Sequence, residues 1–158
     1  MTLKTKHPAV RLERTISAPP HEVYRAWLDP DLLRDWLAPG VAVKRIEIDE
    51  RVGGCFRVWH ARAGIDAGGF DGEILELVPD RRIVFRLGFV GPERRKGPAY
   101  DTLLTVALRE APHGKTALTL VHERLDDLAA GMPDIADNVE NGWALVLDQL
   151  AVLLGERR

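Results

Sequence analysis

The sequence predicts an α+β fold in which a curved antiparallel sheet grips one long C-terminal helix, in the order β-α-α-β6-α. From Val41 to Arg124, apolar and polar residues alternate with the two-residue period of strands, and turn residues divide the stretch into six segments. Apolar residues then recur at helical spacing between Pro133 and Leu154: Ile135, Val139, Trp143, Val146, Leu147, Leu150, Leu153 and Leu154. Because a single helix laid across a curved sheet leaves a concave space between them, the pattern also predicts a pocket.

One strand and two short helices are expected before this sheet. Val10 to Ile16 alternates and ends at a double proline, which predicts the first strand. Ser17 is the candidate cap of a helix whose apolar residues fall three and four apart: Val23, Tyr24, Trp27 and Leu28. Asp29 can cap a second helix, from Leu32 to Trp36 or Leu37, and residues 38–40 (Ala-Pro-Gly) end it.

The six later strands are expected at 41–48, 55–60, 70–78, 83–89, 100–109 and 116–124. Gly64 to Gly69 is predicted to be a loop rich in small residues, and residues 94–96 (Arg-Arg-Lys) a basic loop tip. Asp126 to Pro133 is a candidate entrance loop, with room for a turn of helix.

Length and composition predict a single domain over residues 1–158, with an ordered core of about 9–155 and a flexible tail at 1–8. The 22 basic and 24 acidic residues give a net charge of -2, so no nucleic-acid partner is expected. No run approaches the ~20 apolar residues of a membrane span, and no signal peptide is evident, which favours a cytoplasmic protein without membrane insertion. Cys55, the sole cysteine, excludes an intrachain disulfide and suits a reducing compartment.

Two histidines on strands that face the predicted pocket are the candidates for catalysis. His60 shares a strand face with Phe56 and Val58, and His122 shares one with Leu118 and Leu120. A histidine in an apolar cavity can orient a ligand carbonyl or act as a general base, because its pKa lies near neutrality. The alternative is a structural histidine that is hydrogen-bonded to backbone or water. The histidines share no metal-ligand spacing, so neither a metal nor another cofactor is expected.

The ligand-binding residues predicted from the inward strand faces and the helix stripe are Phe56, Val58, His60, Phe85, Leu104, Val106, Leu118, Leu120, His122, Trp143 and Val146. Trp143 either walls the pocket or fills it. Gly142, its neighbour, permits close packing or a local bend. The strand edge beside Val10 to Ile16 is a possible site for pairing with a second copy in a homodimer.

Five segments, in order, cover nearly the whole chain: residues 11–37, Val52-Gly-Gly-Cys-Phe-Arg, Gly72-Glu-Ile-Leu-Glu-Leu-Val-Pro-Asp-Arg-Arg-Ile-Val-Phe, Gly114-Lys-Thr-Ala-Leu-Thr-Leu-Val-His-Glu and Asn141-Gly-Trp. Together they resemble proteins related to the C-terminal domain of the Hsp90 ATPase activator (the Activator of Hsp90 ATPase homologue 1-like family). That family belongs to the START-like, Bet v 1-like (SRPBCC) superfamily, so the resemblance implies the helix-grip fold.

Members of this superfamily mostly hold apolar ligands between the sheet and the last helix, and polyketide cyclases are its enzymatic branch. The resemblance therefore implies first a protein that binds an apolar or aromatic small molecule. The second hypothesis is a cyclase or hydrolase that uses His60 or His122. A co-chaperone-like module that contacts Hsp90 is the third, although the separate N-terminal domain of the eukaryotic activator has no counterpart in these 158 residues.

Overall fold

The computed structural model describes residues 9–37, 42–93 and 97–156 and has the predicted order of elements. The elements are β1 (Val10–Ile16), α1 (Pro20–Leu28), α2 (Pro30–Trp36), β2 (Ala42–Ile48), β3 (Cys55–Arg62), β4 (Ile65–Val78), β5 (Arg82–Val90), β6 (Ala99–Ala111), β7 (Lys115–Glu123), α3 (Asp126–Gly131), α4 (Pro133–Asp137) and α5 (Val139–Glu156). A 3₁₀ turn, Pro112–Gly114, joins β6 to β7. The predicted tail at 1–8, the helix-ending residues 38–40 and the basic loop tip at 94–96 lie outside the described residues.

All seven strands form one antiparallel sheet in the order β1-β7-β6-β5-β4-β3-β2. The six strands from β2 to β7 pair in chain order, and β1 pairs with β7 along its whole length, from Val10 opposite His122 to Ile16 opposite Thr116. β1 and β2 are the two edges, so the curved sheet is open and does not close into a barrel. This is the helix-grip architecture that the sequence predicted.

The core lies between the inner face of the sheet and the helices. Along β7 every second residue is buried, from Thr116 to His122, because strand side chains alternate between faces. α5 packs beside β1 and also contacts α1 and α2. Trp27, Trp36 and Phe85 are the largest of the fully buried side chains, so the middle of the core is aromatic.

The two short helices differ in how they begin. Asp29 caps α2 as predicted, since its carboxylate accepts the Asp31 backbone N–H at 2.9 Å. The predicted cap at Ser17 is wrong. Pro19 occupies the N-cap of α1, and no side chain caps that helix, because the prolines that follow Ala18 set the helix start two residues later.

The predicted loop from Gly64 to Gly69 is also wrong, because β4 already begins at Ile65. The β3–β4 hairpin turns on two residues, Ala63 and Gly64, which have φ of 53° and 78°. The pairing shifts register just before this turn, between His60 and Ala61. Gly68, with φ of 87°, passes so close to the Val90 carbonyl oxygen that any Cβ would collide with it. Gly68 is therefore required within a strand, and the several glycines of this segment do not indicate a loop.

The single helix predicted from Pro133 to Leu154 is two helices. The break is at Asn138 (φ -107°, ψ 8°), whose side-chain amide donates to the Asp134 carbonyl oxygen at 2.7 Å and closes α4 after five residues. Ile135, predicted on the buried stripe, is 42% exposed as a result. The stripe of α5 is buried as predicted from Val139 through Leu154, with Leu153 half-buried. The candidate entrance loop is largely helical, since α3 occupies most of it.

Within the described ranges, no helix combines the length and the apolar character that crossing a membrane requires.

Candidate functional site

The space between α5 and the middle of the sheet is filled by packed aromatic side chains. Trp27 lies at the centre of this cluster, with ring centroids 4.7 Å from Trp36, 5.9 Å from Trp143 and 6.2 Å from Phe85. Phe85 in turn lies 4.6 Å from Phe56. The structure therefore places seven of the predicted ligand-binding residues in the close-packed core: Phe56, Val58, Phe85, Leu104, Val106, Leu118 and Leu120.

A cavity of about 520 Å³ remains at one end of the sheet, where α2, α4 and the first half of α5 meet the ends of β3, β4 and β5. Its lining consists of Leu37, Arg62, Phe70, Phe89, Asp134, Ile135, Asn138, Val139, Gly142, Trp143 and Val146. Trp143 and Val146 are the two predicted ligand-binding residues that line it. This volume lies in the range of small-molecule sites.

The cavity has apolar walls and a polar rim. Phe70 and Phe89 meet edge to face with centroids 4.9 Å apart, and Trp143 adds a third ring. The exposed side chains of Arg62, Asp134 and Asn138 supply the polar groups. Three aromatic surfaces beside a few polar groups suit a molecule with an apolar body and a polar end.

Gly142 keeps this cavity open. It lies in α5 next to Trp143, and a Cβ built on it meets no atom within 4 Å. Close packing against a neighbour, one of the two roles considered from the sequence, is therefore not the role of this glycine. Its missing side chain contributes to the space in front of Trp143.

Trp143 is held in place by a buried chain of hydrogen bonds that runs into the sheet. Its indole Nε1–H donates to Nδ1 of His122 at 2.9 Å. Because Nδ1 accepts, the neutral ring carries its proton on Nε2, which donates to the Thr102 hydroxyl oxygen at 2.6 Å. The Thr102 hydroxyl then donates to the Leu87 carbonyl oxygen at 2.8 Å. Every polar group in this series of hydrogen bonds has a partner, so the network fixes the orientation of the indole.

This environment keeps His122 uncharged near neutral pH. The side chain is fully buried, and desolvation lowers the pKa of His122 from 6.5 to about 4. Both ring nitrogens are occupied, and His122 is not part of the cavity lining. These features favour the structural alternative for His122 over proton transfer to a ligand, because a general base needs an accessible lone pair.

His60, the other candidate catalytic residue, is half-buried behind the cavity wall. Its ring meets Phe70 edge to face at 5.7 Å, whereas Phe70 itself lines the cavity. His60 thus packs against Phe70, which forms part of the cavity wall. A catalytic role for either histidine stays a prediction.

Several lining residues were missed although the alternation pointed to them. Arg62 continues the β3 face of Phe56, Val58 and His60, and Phe89 continues the β5 face of Phe85. Most of the predicted ligand-binding residues lie in the middle of the strands, where the tryptophans fill the space. Extending the same faces to the strand ends would have found both. Asp134 and Asn138 carried no such signal, because they depend on the break between α4 and α5.

The rest of the described chain offers less for a ligand. A second depression, of about 560 Å³, lies at the other end of the sheet and is lined mostly by prolines and exposed charged side chains, including the pair His21 and Asp80. Among the residues described, no three His, Cys, Asp or Glu side chains converge as a metal site would require. Cys55 is half-buried, with Sγ 3.9 Å from the Glu47 carbonyl oxygen.

The curved sheet, the C-terminal helix and the cavity between them define a helix-grip protein. More particularly, the chain belongs to the family described as Activator of Hsp90 ATPase homolog 1-like protein, whose model matches residues 17–155. No curated protein matches the sequence.

Solved structures agree with this assignment. A protein from Chromobacterium violaceum is 37% identical, with a TM-score of 0.77 over 93% of this chain and 96% of that one. A protein from Mycobacterium smegmatis has a TM-score of 0.78 at 19% identity, covering 99% and 97%. DynU16, from the dynemicin biosynthetic locus, has a TM-score of 0.67 at 23% identity, covering 94% of this chain and 47% of that one. The last two show the shared fold alone.

Proposed function

We propose that this protein binds a small apolar or aromatic molecule in the cavity at the end of the sheet. The observation that carries the proposal is the pairing of an open space of about 520 Å³ with three aromatic walls, Phe70, Phe89 and Trp143. Burying roughly 200 Å² of ring surface there contributes about 5 kcal/mol at ~25 cal/mol per Å², before the entropy cost of association. That magnitude supports reversible binding of a small ligand.

Binding is favoured over catalysis because the histidines lie outside the cavity lining. We expect His60→Gln and His122→Gln to retain affinity within about tenfold, since neither removes a wall of the cavity. Residence in the cytoplasm remains a prediction from the sequence.

The test fills the cavity from a position that the fold tolerates. Gly142→Phe places a ring in the open space without meeting the core, since a Cβ there has no neighbour within 4 Å. Gly155→Phe is the matched control, because Gly155 lies in the same helix, is equally open and is not part of the lining. Both replace a helical glycine and gain helix propensity.

The probe is phenylnaphthylamine, a neutral fluorophore with two aromatic ring systems, titrated into the purified proteins. The wild type and Gly155→Phe are expected to bind it alike, and Gly142→Phe at least tenfold more weakly. Circular dichroism establishes that all three are folded. Equal affinity in Gly142→Phe and the wild type would refute this cavity as the binding site.

A further inference from the structure

We propose that the ligand of this cavity is an aromatic acid and that Arg62 selects it by pairing with the acidic group. This inference rests on the proposed function, since it names the chemistry of the molecule bound at the same site. It starts from a charged side chain that lines a cavity with three aromatic walls.

Arg62 is the last residue of β3. It follows the buried Ala61, and its own side chain is exposed. The irregularity in the β3–β4 pairing, between His60 and Ala61, lies just before Arg62, and the two-residue turn at Ala63 and Gly64 follows it. A bulge beside a hairpin turn is a common way to direct a side chain at a strand end. At this strand end the side chain of Arg62 is exposed and forms part of the cavity lining.

Arg14 shows how this fold treats an inward-facing arginine that has no ligand to meet. It lies on the inner face of β1, and its Nε donates to the Asp148 carboxylate of α5 at 3.3 Å. Arg62 lines the cavity and forms no ion pair with any side chain that the structure describes. A guanidinium presents a planar fork of N–H donors that matches a carboxylate or sulfonate.

The carboxylate of Asp134 also lines the cavity, and its position has a local explanation. Asp134 lies in the first turn of α4, directly after Pro133, where the helix dipole favours a negative side chain. Arg62 has no comparable partner in its own element. The charge on the rim that lacks a structural counterpart is thus positive, and a ligand that supplies an anion next to its rings completes the site.

The test compares two probes with the same ring system. Anilinonaphthalene sulfonate carries an anion, whereas phenylnaphthylamine is its neutral parent. Both are titrated into the wild type and into Arg62→Gln, with Arg109→Gln as the matched control. Arg109 lies near the far end of β6, away from the cavity, and also forms no ion pair among the described residues. The control thus removes an equal charge without touching the site.

The expected result is a loss of affinity for the sulfonate of about tenfold in Arg62→Gln, with the neutral probe unchanged within about twofold. Arg62→Lys is expected to retain part of the preference, because it keeps the charge but not the fork. Arg109→Gln is expected to match the wild type for both probes.

The outcomes separate this inference from the function on which it rests. If both probes bind, and Gly142→Phe weakens both while Arg62→Gln leaves their affinity ratio unchanged, the selection by Arg62 is refuted and the binding function stands. Tighter binding of the sulfonate by Arg62→Gln would refute it equally. If neither probe binds, or if Gly142→Phe has no effect on either, the binding function itself fails.

Discussion

Acid should destabilise this protein through His122 in a narrow pH window. The pKa of His122 is lowered by burial to about 4, against 6.5 for an ordinary histidine. Well above pH 6.5 the ring is neutral in both the folded and the unfolded chain, so it contributes no pH dependence there. As the pH falls below 6.5, His122 becomes protonated in the unfolded chain but stays neutral in the folded chain. The folded state therefore loses stability until the pH reaches about 4.

The size of the effect follows from the two pKa values. Between pH 7 and pH 5, linkage gives a loss of about 2 kcal/mol in the free energy of unfolding from this one ring. The ring has no solvent exposure and its hydrogen-bond partners, Trp143 and Thr102, are neutral, so screening by solvent does not reduce the figure. This is a large share of the stability of an ordinary domain.

The assay is urea unfolding at pH 7 and pH 5, followed by circular dichroism, for the wild type and His122→Gln. Glutamine can accept from the indole and donate to the hydroxyl, but it does not titrate. Carboxylates affect both proteins alike, so the wild type should lose about 2 kcal/mol more than the variant over this interval. Equal losses would refute the reasoning, as would an NMR titration in which the His122 ring protonates above pH 6.

Two further substitutions test local features of the fold. Thr102→Val should lower the free energy of unfolding by about 1–3 kcal/mol, because it leaves the buried His122 Nε2–H without an acceptor. Thr105→Val, on the outer side of the same strand, should change it little, and similar losses in both would contradict this. Ala63→Asn should raise the free energy of unfolding by about 0.5–1 kcal/mol, since asparagine tolerates the positive φ at this turn better than alanine does. Urea titrations measure all three, and a less stable Ala63→Asn would show that the turn is not strained.

The sequence contained enough information for the fold because its signals were local. The alternation on β7 placed Thr116, Leu118, Leu120 and His122 on one buried face, and the structure confirms it. Asp29 was identified as a cap from its position before Pro30, and its carboxylate makes the expected bond. Such features depend on a few neighbouring residues, so periodicity and turn chemistry suffice to find them.

The position of the cavity could not be found in the same way, because it depends on how large side chains share space. The inward strand faces were identified correctly, but the sequence does not say that Trp27, Trp36 and Trp143 meet in one place. Their combined volume fills the middle of the space between the sheet and α5, and the cavity remains at the end of the sheet. Likewise, Asn138 ends α4 through a side-chain bond to Asp134, a competition between side chain and helix that apolar periodicity does not report.

Trp143 serves both of the roles that the sequence left open. Its ring is 7% exposed and packs against Trp27, so it fills the deep space between α5 and the sheet. The same ring walls the remaining cavity, and its N–H is anchored through His122 and Thr102 to the backbone of β5. Rotating it would leave buried polar groups unpaired, at about 1–3 kcal/mol for each. That cost is comparable to the gain from burying one more ring, so a ligand gains little by displacing the indole. The shape of the cavity is therefore set by the hydrogen-bonded chain from the sheet, and the ligand must fit against a fixed wall.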